Sequence, residues 1–219
     1  MPSARSKVEI GPMGARYYDL FLNLLSLGQY SHLIKGVVEK MGIKPGQSIL
    51  DLGSGTSRND CFMAEKVGSN GKIVGLDISD EMLSRAWKRC GKYPNVTFEK
   101  LRIELPLAYN EEFDKVFISF TLHGFEDDQK LGIIHNAHQA LRWGGAFYIL
   151  DYAEFDIGRM WFPFRWAFIH WECQLAVEFL KLDIKEMLHN QGFTDSEEEF
   201  FFKGYLRLLK MVKASVSTT

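Results

Sequence analysis

Apolar positions in this chain alternate between stretches that repeat every three to four residues and short runs with no such period. Leu33, Val37, Val38 and Met41 fall at helical spacing within Ser31 to Met41, and Gly42 with Pro45-Gly46 stops that helix. Tyr17 to Leu27 carries the same spacing. Ser48 to Leu52 is a short apolar run closed by glycines, which predicts a buried strand. Cys61 to Val67 predicts a helix closed by Gly68 to Gly71, Lys72 to Asp77 a second strand, and Ser79-Asp80 the N-cap of a helix reaching Cys90. Asn95 to Lys100 and Phe113 to Phe120 are the third and fourth strands. Asp127 to Trp143 predicts a helix ended by Gly144-Gly145, with Ala146 to Tyr152 as the fifth strand. After Tyr152 the rhythm changes. An aromatic stretch leads to a helix near Leu180 to Asn190. Thr194 to Lys203 and Tyr205 to Val212, joined at Gly204, then predict a hairpin.

Five strands with helical crossovers imply a parallel sheet, because parallel neighbours need long, right-handed connections. With the hairpin added, the expected fold class is α/β: a doubly wound seven-stranded sheet, mostly parallel, with one antiparallel strand and helices on both faces. Composition agrees, with 46% hydrophobic and 25% charged residues, as in an ordinary folded chain. The formal charge of −2 leaves no global field to hold nucleic acid or an anionic membrane. Cys61, Cys90 and Cys173 form no C-x-x-C pair, so the expectation is a reducing, cytoplasmic setting with no disulfide framework and no zinc site. No secretory leader and no apolar run of about 18–20 residues is visible.

In an open α/β sheet the ligand binds at the carboxyl ends of the strands, where strand order reverses. The first strand ends in Asp51-Leu52-Gly53-Ser54-Gly55-Thr56-Ser57. Gly53 and Gly55 allow a tight turn and close approach to a ligand. Asp51 can accept from an ammonium group or from the loop, and Asp77, at the end of the second strand, can accept both hydroxyls of a ribose. Arg58 stands where a dinucleotide fingerprint needs its third glycine, and no phosphate-loop Gly-Lys pair is present. What remains is a loop for a nucleoside without a pyrophosphate.

Ile49 to Thr56 followed by Ile73 to Ser79 resembles the first two motifs of the class I S-adenosylmethionine-dependent methyltransferases, a Rossmann-like family. Glu112 to Phe117 with Thr121-Leu122-His123, Leu141 to Phe147, and Leu182 to Phe193 are similar to that family's later elements, in order. Tyr17-Tyr18-Asp19 and Ser26-x-Gly28 are similar to the ubiquinone/menaquinone-biosynthesis type. The resemblance, over about residues 17 to 212, implies S-adenosyl-L-methionine as cofactor, held by Tyr18, Asp51, Gly53, Ser54, Gly55, Asp77, Ile78, Met82, Arg102, Ile103, Ser119 and Phe120. It implies a single domain: an N-terminal helical cap (1–45), a cofactor-binding core (46–152), an aromatic insertion (153–178) and a closing helix with hairpin (179–213). Two departures stand out. Ser57 replaces a glycine of the family loop, and Lys100 to Pro106 lacks the acid that meets adenine, leaving backbone and the apolar Ile78, Met82 and Ile103. Arg102 cannot accept from an adenine N–H.

The implied reaction is in-line methyl transfer to a small, apolar or aromatic acceptor; the alternative is a cofactor-binding interaction module without turnover. His123, past the fourth strand, is the candidate base or substrate orienter, against a loop imidazole bonded to backbone. Tyr17 and Tyr18 are expected over the pocket mouth, with Tyr18 a second catalytic candidate. Eight of the 20 residues from Tyr152 to Trp171 are aromatic, enough to roof the pocket, touch a membrane surface, pack a cap or form a homodimer seam. His135 and His138 read as a solvated helix face and not a metal pair, and Glu197 to Glu199 as a solvent-facing approach to the hairpin. No metal is expected.

Overall fold

A computed structural model describes residues 30–160, 162, 165 and 174–214. The expected strands become β1 (Ser48–Leu52), β2 (Lys72–Asp77), β3 (Val96–Lys100), β4 (Phe113–Ser119), β5 (Leu141–Tyr152), β6 (Phe193–Phe201) and β7 (Leu206–Lys213). They form one sheet in the order β3-β2-β1-β4-β5-β7-β6. The first five strands pair in parallel, and β7 runs antiparallel to both β5 and β6. Strand order reverses between β1 and β4, whose following loops diverge. The doubly wound α/β expectation therefore holds, with β7 as the reversed strand.

Alternation along each strand divides the core. Ile49, Ile73 and Phe117 face α1 (Tyr30–Lys40), α2 (Arg58–Val67) and α3 (Asp80–Cys90), through Ile34, Val37, Met63, Val67 and Ala86. Leu50, Val74 and Val116 face the opposite layer, where α4 (Asp127–Ala140) and α6 (Ile184–Asn190) supply Ile133, Ala137 and Leu188. A short α5 (Gln174–Phe179) buries Leu175 and Ala176 in a satellite cluster with Tyr152, Phe155, Ile157 and Met160. Ser79 caps α3 as expected, its hydroxyl accepting from Met82 N at 3.3 Å.

Three readings need correction. The helix expected to reach Trp143 ends at Ala140, because Leu141 turns extended (ψ 139°) and is fully buried beside Phe113. Ala146 then pairs with Lys115, so residues 142–145 bulge out of β5, with Gly144 at φ 76°. The helix expected near Leu180 begins at Ile184, where the Asp183 carboxylate accepts from Glu186 N at 2.9 Å. Finally, Cys61 and Cys90 form a disulfide, with Cα atoms 5.4 Å apart and a sequence separation of 29. Their spacing gives no sign of it. The pairing arises because α2 and α3 lie side by side on one face of the sheet.

No helix among the described residues is long and apolar enough to cross a membrane. Tyr17, Tyr18 and most of the aromatic insertion (Trp161, Phe164, Trp166, Phe168 and Trp171) lie outside the described residues.

Candidate functional site

The loop after β1 is held from below by the second strand. Gly53 N and Ser54 N both donate to Leu76 O, at 2.9 and 2.8 Å. Gly53 sits at φ 78°, and a Cβ there would lie 2.8 Å from Thr121 Cγ2, so the position needs glycine for conformation and for space. Asp77 closes the loop from the side: Oδ2 accepts from Gly55 N at 2.9 Å and Oδ1 from Ser79 N at 2.8 Å. Burial raises its carboxyl above the ordinary value, and the Ser79 and Gly55 amides pull it back. Asp77 thus fastens the loop to α3 while each oxygen keeps a second lone pair for a ligand hydroxyl.

Ser57, the departure from glycine noted in the sequence, adopts a left-handed conformation (φ 59°, ψ 34°) and is fully buried. L-residues incur a cost of roughly 1–2 kcal/mol there. Behind it lies a cluster of acids. Asp51 in β1 and Asp60 in α2 are both fully buried, and no carboxylate oxygen of either has a hydrogen-bond donor among the described residues. Burial first, then the charge and the shared proton of Asp60 and the charge of Asp77, raise the Asp51 carboxyl; burial likewise raises that of Asp60, against the neighbouring Ser57 hydroxyl and Asp51 carboxyl, which hold it down. Ser54 Oγ, Ser57 Oγ and Asn59 Oδ1 are buried without partners as well. A concentration of orphaned acceptors suits a ligand that carries positive charge and N–H donors.

The opposite wall comes from β4. Asn59 Nδ2 donates to Ser119 Oγ at 2.8 Å, joining the start of α2 to the end of β4. Phe120, at φ 49°, anchors its amide to Leu150 O at 2.8 Å and sets its ring 6.3 Å from that of Tyr30. Tyr30, Gly53, Gly55, Asn59, Ser119 and Thr121 are among the residues around a crevice of about 40 Å³. Gly53, Ser54, Gly55 and Ser119 of the residues implied by the resemblance line this crevice, and Asp51, Asp77 and Phe120 adjoin it through the loop and strand ends. Met82, in the first turn of α3, and Ile103, in the turn after β3, are buried. Ile78 follows Asp77 directly. Arg102 donates from Nε to Glu104 Oε1 at 2.6 Å, with half its side chain exposed. Asn59, Asp60 and Tyr30 were not foreseen; polar residues in the first turn of α2 were the available sign.

His123 lies in a short 3-10 turn (Leu122–Gly124) after β4. Its Nδ1 is 2.7 Å from Asp151 Oδ1, and its backbone N donates to Asp151 Oδ2 at 3.2 Å. Asp151 is 2% exposed near the carboxyl end of β5, and the sequence reading passed over it. The imidazole is flanked by the rings of Tyr152 at 5.0 Å and Phe179 at 6.4 Å. A buried carboxylate on Nδ1 fixes the tautomer and makes Nε2 the basic nitrogen. His138, read from sequence as solvated, instead packs edge-on against Trp143 and Phe193.

A profile of the ubiE/COQ5 methyltransferase family matches residues 9–206. An uncharacterized methyltransferase of Synechocystis is 28% identical over 190 residues, 86% of each chain. The ubiquinone/menaquinone biosynthesis C-methyltransferase of Xanthomonas oryzae is 32% identical over 143 residues, 64% of this chain and 56% of its own. The chain therefore spans little more than half the length of that relative. An S-adenosylmethionine-dependent methyltransferase from Aquifex aeolicus superposes with a TM-score of 0.67 at 18% identity, over 94% of this chain and 100% of its own. With a family match running almost the length of a sheet whose glycine loop and acidic strand ends are in place, the chain belongs to the ubiE/COQ5 methyltransferase family, and its cofactor is S-adenosylmethionine.

Proposed function

We propose that the chain transfers a methyl group to a small apolar or aromatic acceptor, quinone-type rings included, with His123 as general base. The observation that carries this reading is the 2.7 Å contact between His123 Nδ1 and the buried Asp151 carboxylate, at the ends of β4 and β5. The names of the quinone-biosynthesis relatives support the acceptor class.

The residues around the loop fit the cofactor. Its ammonium and sulfonium charges match the orphaned acceptors near Asp51, and Asp77 would take the ribose hydroxyls while Gly53 and Gly55 give the backbone room. When bound, S-adenosylmethionine supplies an electrophilic methyl on a sulfonium that leaves as a neutral thioether. The protein's share is alignment, an effect that reaches roughly 7–11 kcal/mol, together with removal of one proton from the acceptor. His123 Nε2 receives that proton from an acceptor hydroxyl or ring carbon. Asp151 is a positioning residue: it holds Nδ1–H and stabilises the imidazolium once formed. The rings of Tyr152 and Phe179 give the imidazole an apolar border suited to a lipophilic acceptor.

The test is turnover of labelled cofactor with a panel of quinols and phenols. His123→Gln is expected to lower kcat by about 10²–10⁴-fold, with cofactor affinity unchanged. Undiminished turnover in that variant would remove the base from the reading. Tight cofactor binding with no methylation of any acceptor would favour an interaction module instead.

A further inference from the structure

At the opposite end of the sheet, where the parallel strands begin, lies a cleft of about 460 Å³. Small-molecule sites run to about 300–1,000 Å³, so the cleft has the size of one. One wall is the bulge at 142–145, another the end of α1 at Lys40 to Gly42, and a third the Lys210–Val212 end of β7.

Lys115 of β4 lines this cleft and is only 8% exposed. Among the described residues its ammonium makes one hydrogen bond, at 3.5 Å to Tyr148 Oη, whose own proton is donated to Met41 O at 3.0 Å. An ammonium has three donors, and a buried one is ordinarily paired. The other buried lysines obey that rule. Lys130 reaches Phe125 O and Asp127, and Lys213 reaches Leu141 O and Glu111. Among the described residues, Lys115 has no carboxylate within ion-pair distance. Asp114, next in sequence, instead accepts from Ser48 N at 2.7 Å and Arg142 Nη1 at 2.9 Å.

The surrounding field makes the missing counter-charge more telling. Lys210 and Lys44 act on Lys115 with like charge and Asp114 with opposite charge; burial and Lys210 together hold its amine below the usual range. Lys40 and Lys210 on the rim engage Glu199 and Glu197. Lys115 Nζ lies 5.2 Å from the centroid of the Tyr148 ring, so the floor of the cleft holds a cation resting on an aromatic face, with no carboxylate paired to it among the described residues and with Lys40, Arg142, Lys210 and Asp114 around it.

We propose that this cleft is a second ligand site, which binds the phosphate group of a small anionic metabolite on Lys115, with Lys210 completing the clamp. It is separate from the methyl-transfer crevice: Lys115 and Ser119 are four residues apart along β4, about 13 Å at strand rise. Phosphate could arrive free or as a monoester, and the chemistry of recognition is the same.

Calorimetry on the whole chain at pH 7, in a buffer of low anion content, with inorganic phosphate and a nucleoside monophosphate titrated separately, tests this. Saturable one-site binding in the submillimolar range is expected. Lys115→Met should weaken it at least tenfold and Lys210→Ala, at a more exposed lysine, several-fold, while both variants bind S-adenosylmethionine as the unaltered chain does. Tighter binding of the monophosphate gives the rest of the cleft to its organic part; equal affinities assign free phosphate. No saturable binding of either probe overturns the proposal. So does undiminished affinity in Lys115→Met or, should that variant not fold, in Lys210→Ala.

Discussion

Replacing Asp60 by an asparagine probes the acidic cluster behind the glycine loop. Asp51 and Asp60 are both fully buried, and neither carboxylate has a donor among the described residues. With one proton between them, the two carboxyls can hydrogen-bond to each other; with none, they hold two like charges in a dry site. The Asp60 carboxyl is pushed from its ordinary 3.8 to about 6, chiefly by burial. A raised acid stabilises the fold at low pH and loses that contribution as pH climbs from the unfolded value to the folded one. The cost is absent below about pH 4, grows through the window to about 6, and is constant above it. At about 1.4 kcal/mol per unit it amounts to at most about 3 kcal/mol. The amide introduced by Asp60→Asn removes this charge and offers Asp51 a donor of the same shape. At roughly 2–4 °C per kcal/mol for a chain of this size, the substitution should raise Tm at pH 8 by up to about 6–12 °C. At pH 5 only about half of the cost has developed, so the gain should be about half as large. Thermal melts of both proteins from pH 5 to 8 read the difference, which contains the lost Asp60 titration together with the relief of Asp51, whose carboxyl Asp60 helps to raise. A variant no more stable than the parent at pH 8, or a difference that does not change with pH, would refute the account of the pair.

Two other consequences are open to direct measurement. Ser57→Gly relieves a left-handed residue, so it should stabilise the chain by about 1 kcal/mol in denaturant melts; a loss of stability would show that the Ser57 hydroxyl beside the Asp60 carboxyl is worth more than the strain. The Cys61–Cys90 bridge closes a loop of about 30 residues, so reduction should expose two further thiols and cost about 3–4 kcal/mol in the chain-entropy account. An equal thiol count before and after reduction would rule the bridge out.

The sheet was legible because its signals are local. β1, β2 and β4 are short, largely apolar runs bounded by turn residues, β3 alternates buried Val96 and Phe98 with exposed polar residues, and Ser79 caps its helix where a cap was expected. The end of α4 was not legible for the opposite reason. Gly144-Gly145 looks like a helix stop, yet Leu141 leaves the helix short of it to bury itself beside Phe113, and the glycines serve a bulge instead. Tertiary burial overrode a turn signal. The disulfide was hidden for a related cause, since residues 29 apart meet only once α2 and α3 share a face.

The same distinction separates the parts of the site. Gly53 and Asp77 belong to a strand-end motif, and their roles follow from backbone geometry that the motif encodes. His123 was visible as a candidate, but a histidine becomes a base only through its partner, and Asp151 lies 28 residues away on the neighbouring strand. Nothing in the spacing joins them; parallel pairing of β4 with β5, Ser119 opposite Leu150, does. Asp77 shows the limit of motif reading from the other side. Its expected ribose role does not reveal that both oxygens already hold amides of the loop and of α3. Removing its carboxylate would therefore loosen the loop as well as the proposed ribose contact, and lost cofactor affinity in such a variant would report both. An isosteric amide at 77 separates the two only in part, because one of its two positions still accepts. The proposed methyl-transfer site thus joins a strand-end motif to a pair, His123 and Asp151, that only the sheet brings together.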